Sequence, residues 1–166
     1  MSSSQVPGFK TWVEINSRAL LHNLLVVQRR VGKNVAVMCV VKSNAYGHGL
    51  SEVAQLLTTY NLQLTTGIWM GVDNLDEALQ LKKSGIKNPI LILGYIPRAR
   101  LAEAIKNSFR FALYDIEALK ECVRVAKQLK KKALVHIKIE TGTFRQGILH
   151  KEIAKFADSL HKHSQA

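Results

Sequence analysis

Short apolar, β-branched runs alternate with amphipathic stretches along almost the whole chain, which restricts the fold to serial strand-helix units. Val35-Ala36-Val37-Met38-Cys39-Val40-Val41 is short and rich in branched side chains, and predicts a strand buried on both faces. Gly67–Val72, Pro89–Leu93, Phe111–Leu113 and Ala133–Ile139 repeat the pattern. The stretches between them carry helical stripes. Ser17 is expected to cap a helix with Leu20, Leu24, Val27 and Val31 on one side, and Ser51 to open one with Val53, Leu56, Leu57 and Tyr60. Asn74-Leu75-Asp76-Glu77 reads as a capping box before a helix ending near Gly85. A further helix runs from about Arg98 to Asn107. Asp115 caps one with Leu119, Cys122, Val123 and Ala126, and Ile153, Phe156, Ala157 and Leu160 mark the last. Ahead of them all, Trp12–Asn16 alternates like a strand, with Val13 and Ile15 on one face.

Strands buried on both faces and joined by helices make an α/β fold, a parallel sheet with its helices outside. Periodicity leaves open whether the sheet stays open or closes into a barrel. A complete barrel of eight β-α units takes about 250 residues and commonly at least about 200. This chain has 166, enough for five strand-helix units after its first strand. With 47% hydrophobic residues, 10 Gly and 3 Pro, it is neither collagen-like nor disordered.

The 24 Lys and Arg against 12 Asp and Glu give a net charge of +12. That excess favours anionic partners without saying which. The densest basic run, Lys127 with Lys130-Lys131-Lys132, falls at a helix end, where cations complement the helix dipole. No aromatic stacking motif accompanies it, so no nucleic-acid partner is expected. Cys39 and Cys122 share no CxxC or Cys/His spacing, and His150, His161 and His163 have no ligand-like companions. Neither a disulfide framework nor a metal site is expected. Met1-Ser2-Ser3-Ser4-Gln5 is polar with no apolar core behind it, unlike a signal peptide. No apolar run approaches the roughly 18 residues that span a bilayer. The expectation is a soluble, cytoplasmic protein with no membrane partner.

Function in parallel α/β folds gathers at the carboxyl ends of strands. One such end is Val40-Val41-Lys42-Ser43-Asn44-Ala45-Tyr46-Gly47-His48-Gly49. Strand parity puts Lys42 on the face of Val40 and Met38. A lysine amine in such a pocket suits Schiff-base chemistry, and the alternative is a solvated surface charge. The glycines fit neither GxxxxGK[ST] nor GxGxxG, so no nucleotide loop is indicated. His48 between glycines reads as a turn residue or a support for the site.

This segment closely resembles the pyridoxal-phosphate lysine motif of bacterial alanine racemases, V-V-K-A-N-A-Y-G-H-G, from which it departs only at Ser43. Thr11-Trp12-Val13-Glu14-Ile15-Asn16, Leu20–Asn23, Gly71-Val72, Glu77-Ala78, Gly85-Ile86 and Pro89–Gly94 are also similar to that family. The resemblance runs from about Thr11 to Ile148. It implies a TIM-type (β/α) barrel, incomplete here, and pyridoxal 5′-phosphate as cofactor. Lys42 would be the Schiff-base lysine and one of two acid/base groups, and Tyr46 would hydrogen-bond the cofactor phosphate.

The second strand end is Val135-His136-Ile137-Lys138-Ile139-Glu140-Thr141-Gly142-Thr143-Phe144-Arg145-Gln146-Gly147-Ile148. Parity sets Leu134, His136, Lys138 and Glu140 on one face, a costly set unless it lines a site. The segment resembles the family's H-x-K-x-D-T-G-M-x-R-x-G, with Glu140 for Asp and Thr143 for Met. The resemblance makes Arg145 a contact to the cofactor's phenolic oxygen and Lys138 a candidate for carbamylation, against a plain Lys138–Glu140 charge pair. A carbamate, being anionic, could fix Arg145 through charge-assisted hydrogen bonds.

By the same resemblance, residues 1–10 are a flexible N-terminus and 11–166 part of an alanine racemase N-terminal barrel domain. The C-terminal β domain is expected to be absent from this sequence. The whole enzyme would be a homodimer racemising alanine to supply D-alanine for peptidoglycan, its second base a tyrosine of the partner subunit. The 166 residues alone are expected to be inactive. A related racemase, acting on serine for instance, and a non-catalytic remnant or basic binding module are the alternatives.

Overall fold

The computed structural model describes residue 8 and residues 10–59 and 67–164. Five parallel strands form one sheet: β1 (Val37–Val40), β2 (Ile68–Val72), β3 (Ile90–Ile92), β4 (Arg110–Leu113) and β5 (Leu134–Ile137). They pair in chain order, β1-β2-β3-β4-β5. Helix α1 (Ser17–Val31) precedes them, and α2 (Leu50–Thr59), α3 (Leu75–Lys83), α4 (Leu101–Lys106), α5 (Ile116–Leu129) and α6 (Ile153–Ser164) follow the strands in turn. Right-handed crossovers that never reverse direction lay every helix on one side of the sheet. Neighbouring helices pack on one another accordingly. The architecture is the expected α/β one, part of a TIM-type (β/α) barrel.

The core lies between the sheet and this helical layer. Ile68, Met70, Val72 and Ile92 face outward with Phe111 and Leu113, against Ala78, Leu81, Leu101, Ala104, Ile105 and Leu119, all buried. Each large side chain buried this way stabilises the fold by about 1.5–3 kcal/mol. The opposite face carries Met38, Val40, Trp69, Gly71, Leu91, Arg110, Ala112 and His136, in registers that include Met38 with Trp69 and Ala112 with His136. The Arg110 guanidinium lies 4.5 Å from the Trp69 ring centre.

Several local expectations are corrected. Asn16, not Ser17, caps α1: its Oδ1 accepts the Ala19 N–H at 3.0 Å. Trp12–Asn16 is not a strand, because no described neighbour pairs with it, and Trp12 and Val13 are exposed. On α1, Leu24 and Gln28 are buried whereas Val27 and Val31 are exposed. The apolar run at Val35 yields only Val37–Val40 as strand, and it is not buried on both faces, because β1 lies at a sheet edge and leaves Val40 exposed. β5 is the other edge, with His136 and Ile137 exposed. Helix α2 begins at Leu50 rather than Ser51, and Tyr60 lies outside the described residues, as does most of the expected flexible N-terminus. Asp115 caps α5 as expected, accepting the Glu117 and Ala118 N–H groups at 2.8 and 2.9 Å.

Candidate active site

After β1 the chain enters a left-handed helical turn. Ser43, Asn44, Ala45 and Tyr46 have φ of 55°, 56°, 51° and 55°. Ala45 N–H donates to Val41 O at 2.8 Å, and Gly47 N–H to Asn44 O at 3.0 Å. This hand costs an L-residue about 1–2 kcal/mol, so partners outside the turn must impose it. Asn44 supplies two of them. Its Oδ1 accepts the Leu50 N–H at 2.8 Å, which fixes the start of α2. Its own N–H donates to Glu77 Oε1 on α3 at 3.3 Å. His48 Nδ1 donates to Ala45 O at 2.8 Å within the turn, and Ala45 itself is buried. Gly47 and Gly49, at φ of 90° and 97°, then lead into α2 without the side-chain penalty.

Lys42 opens this turn, half-buried, at the carboxyl end of β1. The strand has ended at Val40, so strand alternation no longer governs the face on which Lys42 lies. Tyr46 closes the turn with 62% of its surface exposed. The two stand at opposite ends of the same turn.

At the other edge, Lys138 continues the β5 ladder by one residue, its N–H on Leu113 O at 3.0 Å. The loop then folds back: Ile148 N–H donates to Lys138 O at 2.9 Å and Glu140 N–H to Ile148 O at 3.0 Å. Lys138 Nζ donates to Gln146 Oε1 at 3.1 Å. Glu140 turns instead into its own loop, where its carboxylate accepts the Gly142 N–H at 2.6 Å and the Arg145 N–H at 3.2 Å. Backbone N–H groups, those of Phe144 and Gly142 foremost, pull the Glu140 carboxyl down to about 2. The Lys138–Glu140 pair expected as the alternative is therefore replaced by two separate sets of bonds. Phe144 is 83% exposed with φ of 50°, and Arg145 beside it is also exposed.

Lys42 with Tyr46, and Lys138 with Arg145, thus occupy the carboxyl ends of the two edge strands, with β2, β3 and β4 between them. An amine and a phenol stand at one edge, an amine and a guanidinium at the other, all of them hydrogen-bond donors. Glu77 was not singled out from the sequence as a site residue, because its reach to Asn44 is tertiary. Burial pushes the Cys39 thiol up to about 11 and Cys122 to about 12, so neither is poised as a nucleophile. Among the described residues no group of three or more His, Cys, Asp or Glu is placed to hold a metal ion. No described helix is long and apolar enough to cross a membrane.

A partial parallel barrel with a lysine closing its first described strand and a basic loop after its fifth belongs with barrel domains that work at their strand ends. The chain belongs to the family described as alanine racemase, N-terminal domain, whose profile matches residues 15–166. It is 40% identical over 145 residues to alanine racemase 1 of Caldanaerobacter subterraneus subsp. tengcongensis, covering 87% of this chain and 36% of that protein. The alanine racemase of Clostridium difficile 630 superposes with a TM-score of 0.85 at 32% identity, over 95% of this chain and 40% of that one. A histidine racemase from Leuconostoc mesenteroides subsp. sake superposes with a TM-score of 0.77 at 27% identity, over 89% and 38%. The chain therefore spans well under half the length of these relatives.

Proposed function

We propose that this chain is the cofactor-carrying barrel segment of a pyridoxal 5′-phosphate-dependent amino-acid racemase that interconverts L- and D-alanine, the D-enantiomer serving peptidoglycan. The observation that carries the reading is the left-handed turn from Lys42 to Tyr46, which holds an amine and a phenol on one element at a strand end. The matched family and the names of the relatives support it.

When bound, the cofactor supplies a pyridine ring that withdraws electrons from the substrate α-carbon. Lys42 Nζ would be the atom that holds the group, and it would serve as one of two acid/base atoms for the substrate. Tyr46 Oη would donate to the cofactor phosphate, and the Arg145 guanidinium to its phenolic oxygen. Lys138 orients Arg145 if carbamylated. Racemisation needs a second proton-transfer group on the opposite face, which the reading assigns to a tyrosine of the partner subunit in a homodimer. It carries with it residues 11–166 as barrel segment, a cytoplasmic protein, and neither nucleic acid nor membrane as partner.

Borohydride reduction of the full-length gene product in pyridoxal 5′-phosphate, followed by peptide mass spectrometry, tests the assignment. A reduced adduct on Lys42, with alanine racemisation falling at least about a thousandfold in Lys42→Ala, is the expected result. An adduct on another lysine, or none, overturns it. The histidine racemase among the structural neighbours favours one second reading, the same chemistry on another side chain. Comparing turnover of alanine, serine and histidine separates the two.

A further inference from the structure

We propose that Glu77 is the positioning residue that holds the Lys42 turn in its left-handed form. The claim rests on the reading of Lys42 and Tyr46 as cofactor-holding residues. Glu77 sits in the first turn of α3, where Asn74 Oδ1 accepts its N–H at 3.0 Å and so fixes where its side chain starts. Its carboxylate then leaves the helix in two directions. Oε2 accepts the Asp73 N–H at 2.8 Å, and Oε1 accepts the Asn44 N–H at 3.3 Å. Asp73 is itself clamped from the next strand, for its carbonyl accepts the Gly94 N–H at 2.9 Å. No side chain fits at Gly94, because a Cβ there would run into Asp73 O. One carboxylate therefore ties the end of β1 to the end of β2, and Gly94 ties that end to β3.

Asn44 is the informative point of attachment, since it stands midway between Lys42 and Tyr46. The N–H groups of Ala45, Gly47, His48 and Gly49 bond within the turn, whereas that of Asn44 goes to Glu77. Left-handed backbone is intrinsically disfavoured for Ser43, Ala45 and Tyr46, so a tether at the middle peptide selects the hand of the whole turn. The hand in turn decides where the Lys42 amine and the Tyr46 phenol stand relative to each other. Loss of the tether would leave both residues present but aimed wrongly.

The test compares Glu77→Ala and Glu77→Asp with wild type in the full-length protein. Aspartate keeps a carboxylate in the first turn of α3 but is one methylene too short to reach both Asp73 and Asn44. Amide hydrogen exchange is read first, without cofactor. Exchange at Asn44 is expected to quicken at least about tenfold in both variants, while residues 78–83 in Glu77→Asp exchange as in wild type. The dissociation constant for pyridoxal 5′-phosphate is expected to rise about tenfold in both. Unchanged exchange at Asn44, or α3 loosening in step with Asn44 in Glu77→Asp, overturns the proposal and leaves Glu77 a helix-capping residue only. Absence of any borohydride-trapped adduct on Lys42 in wild type instead overturns the cofactor reading, while exchange at Asn44 still decides whether Glu77 holds the turn.

Discussion

Trp69 on β2 and His136 on β5 meet edge to face, their ring centroids 6.0 Å apart and their planes at 82°. β3 and β4 lie between these strands, so on a flat sheet their backbones would stand roughly 14 Å apart. The contact therefore reports that the sheet is rolled, with its helix-free face concave. Arg110 on β4 reaches the same tryptophan, which makes Trp69 the centre of the concave face. That face is where the resemblance to a barrel acquires physical content.

The first prediction follows from that contact. Trp69→Leu and Arg110→Met should each destabilise the protein in urea. The double-mutant cycle should return a coupling of about 0.5–2 kcal/mol, the range for a cation over an indole as water is excluded. Additive effects would mean that the two side chains do not interact.

Glu140 governs the order of the 141–145 loop through pH. Its carboxyl is lowered from 4.5 to about 2 by the backbone N–H groups it accepts. A depressed acid stabilises the fold above its unfolded value and loses that contribution as pH falls through the folded one. The loop should therefore hold at pH 5 and loosen between about 4.5 and about 2. The amide resonances of Gly142 and Arg145 should titrate with an apparent midpoint near 2, and Glu140→Gln should abolish the step. A midpoint at the ordinary carboxylate value would show that the bonds do not form in solution.

Gly94→Ala tests the clamp at the ends of β2 and β3. Its Cβ would press on the Asp73 carbonyl, a backbone atom that cannot swing aside. Overpacking of this kind costs about 1–3 kcal/mol, readable as a lower urea midpoint. Gly85→Ala is the control: space is open there, and only its φ of 84° resists a side chain, at about 1–2 kcal/mol. In Gly94→Ala alone, loosening should spread to the amide of Asn44, since Asp73 lies between Gly94 and Glu77.

The alternation of strands and helices was legible because Ile68, Met70, Val72, Ile90 and Ile92 are buried in β2 and β3, so their apolar runs are continuous. The errors fall at the edges. Val40 reads as core because an edge strand has the composition of a central one until its neighbours are known, and Val35 falls in the bend before β1. Strand-end position points to Lys42, whereas Tyr46 rests on resemblance alone: nothing in Ser43, Ala45 or Tyr46 signals positive φ, and only Asn44, Gly47 and Gly49 hint at it. Parity assigns Glu140 to the face of Lys138, but it fails past Lys138, where the ladder to β4 ends and the chain pairs with Ile148 instead. Contacts between units, such as Glu77 with Asn44, have no periodic signature at all.

The state of Lys138 supplies the last prediction. Its ammonium donates to Gln146 Oε1 at 3.1 Å, a neutral acceptor that satisfies the charge without neutralising it. A carbamate on the same nitrogen would present oxygens instead, and the Gln146 amide could serve them by turning its NH2 group toward them. Gln146 thus accommodates both forms, whereas a carboxylate in its place would attract the ammonium and repel the carbamate. The full-length protein equilibrated with 13C-bicarbonate should show a carbamate resonance that Lys138→Ala removes and Gln146→Glu weakens several-fold, a difference of about 1 kcal/mol for one added charge. Gln146→Asn, shorter but uncharged, should retain it. A resonance that survives in Lys138→Ala would move the modification to another lysine, and none in wild type would leave Lys138 an ammonium bonded to Gln146.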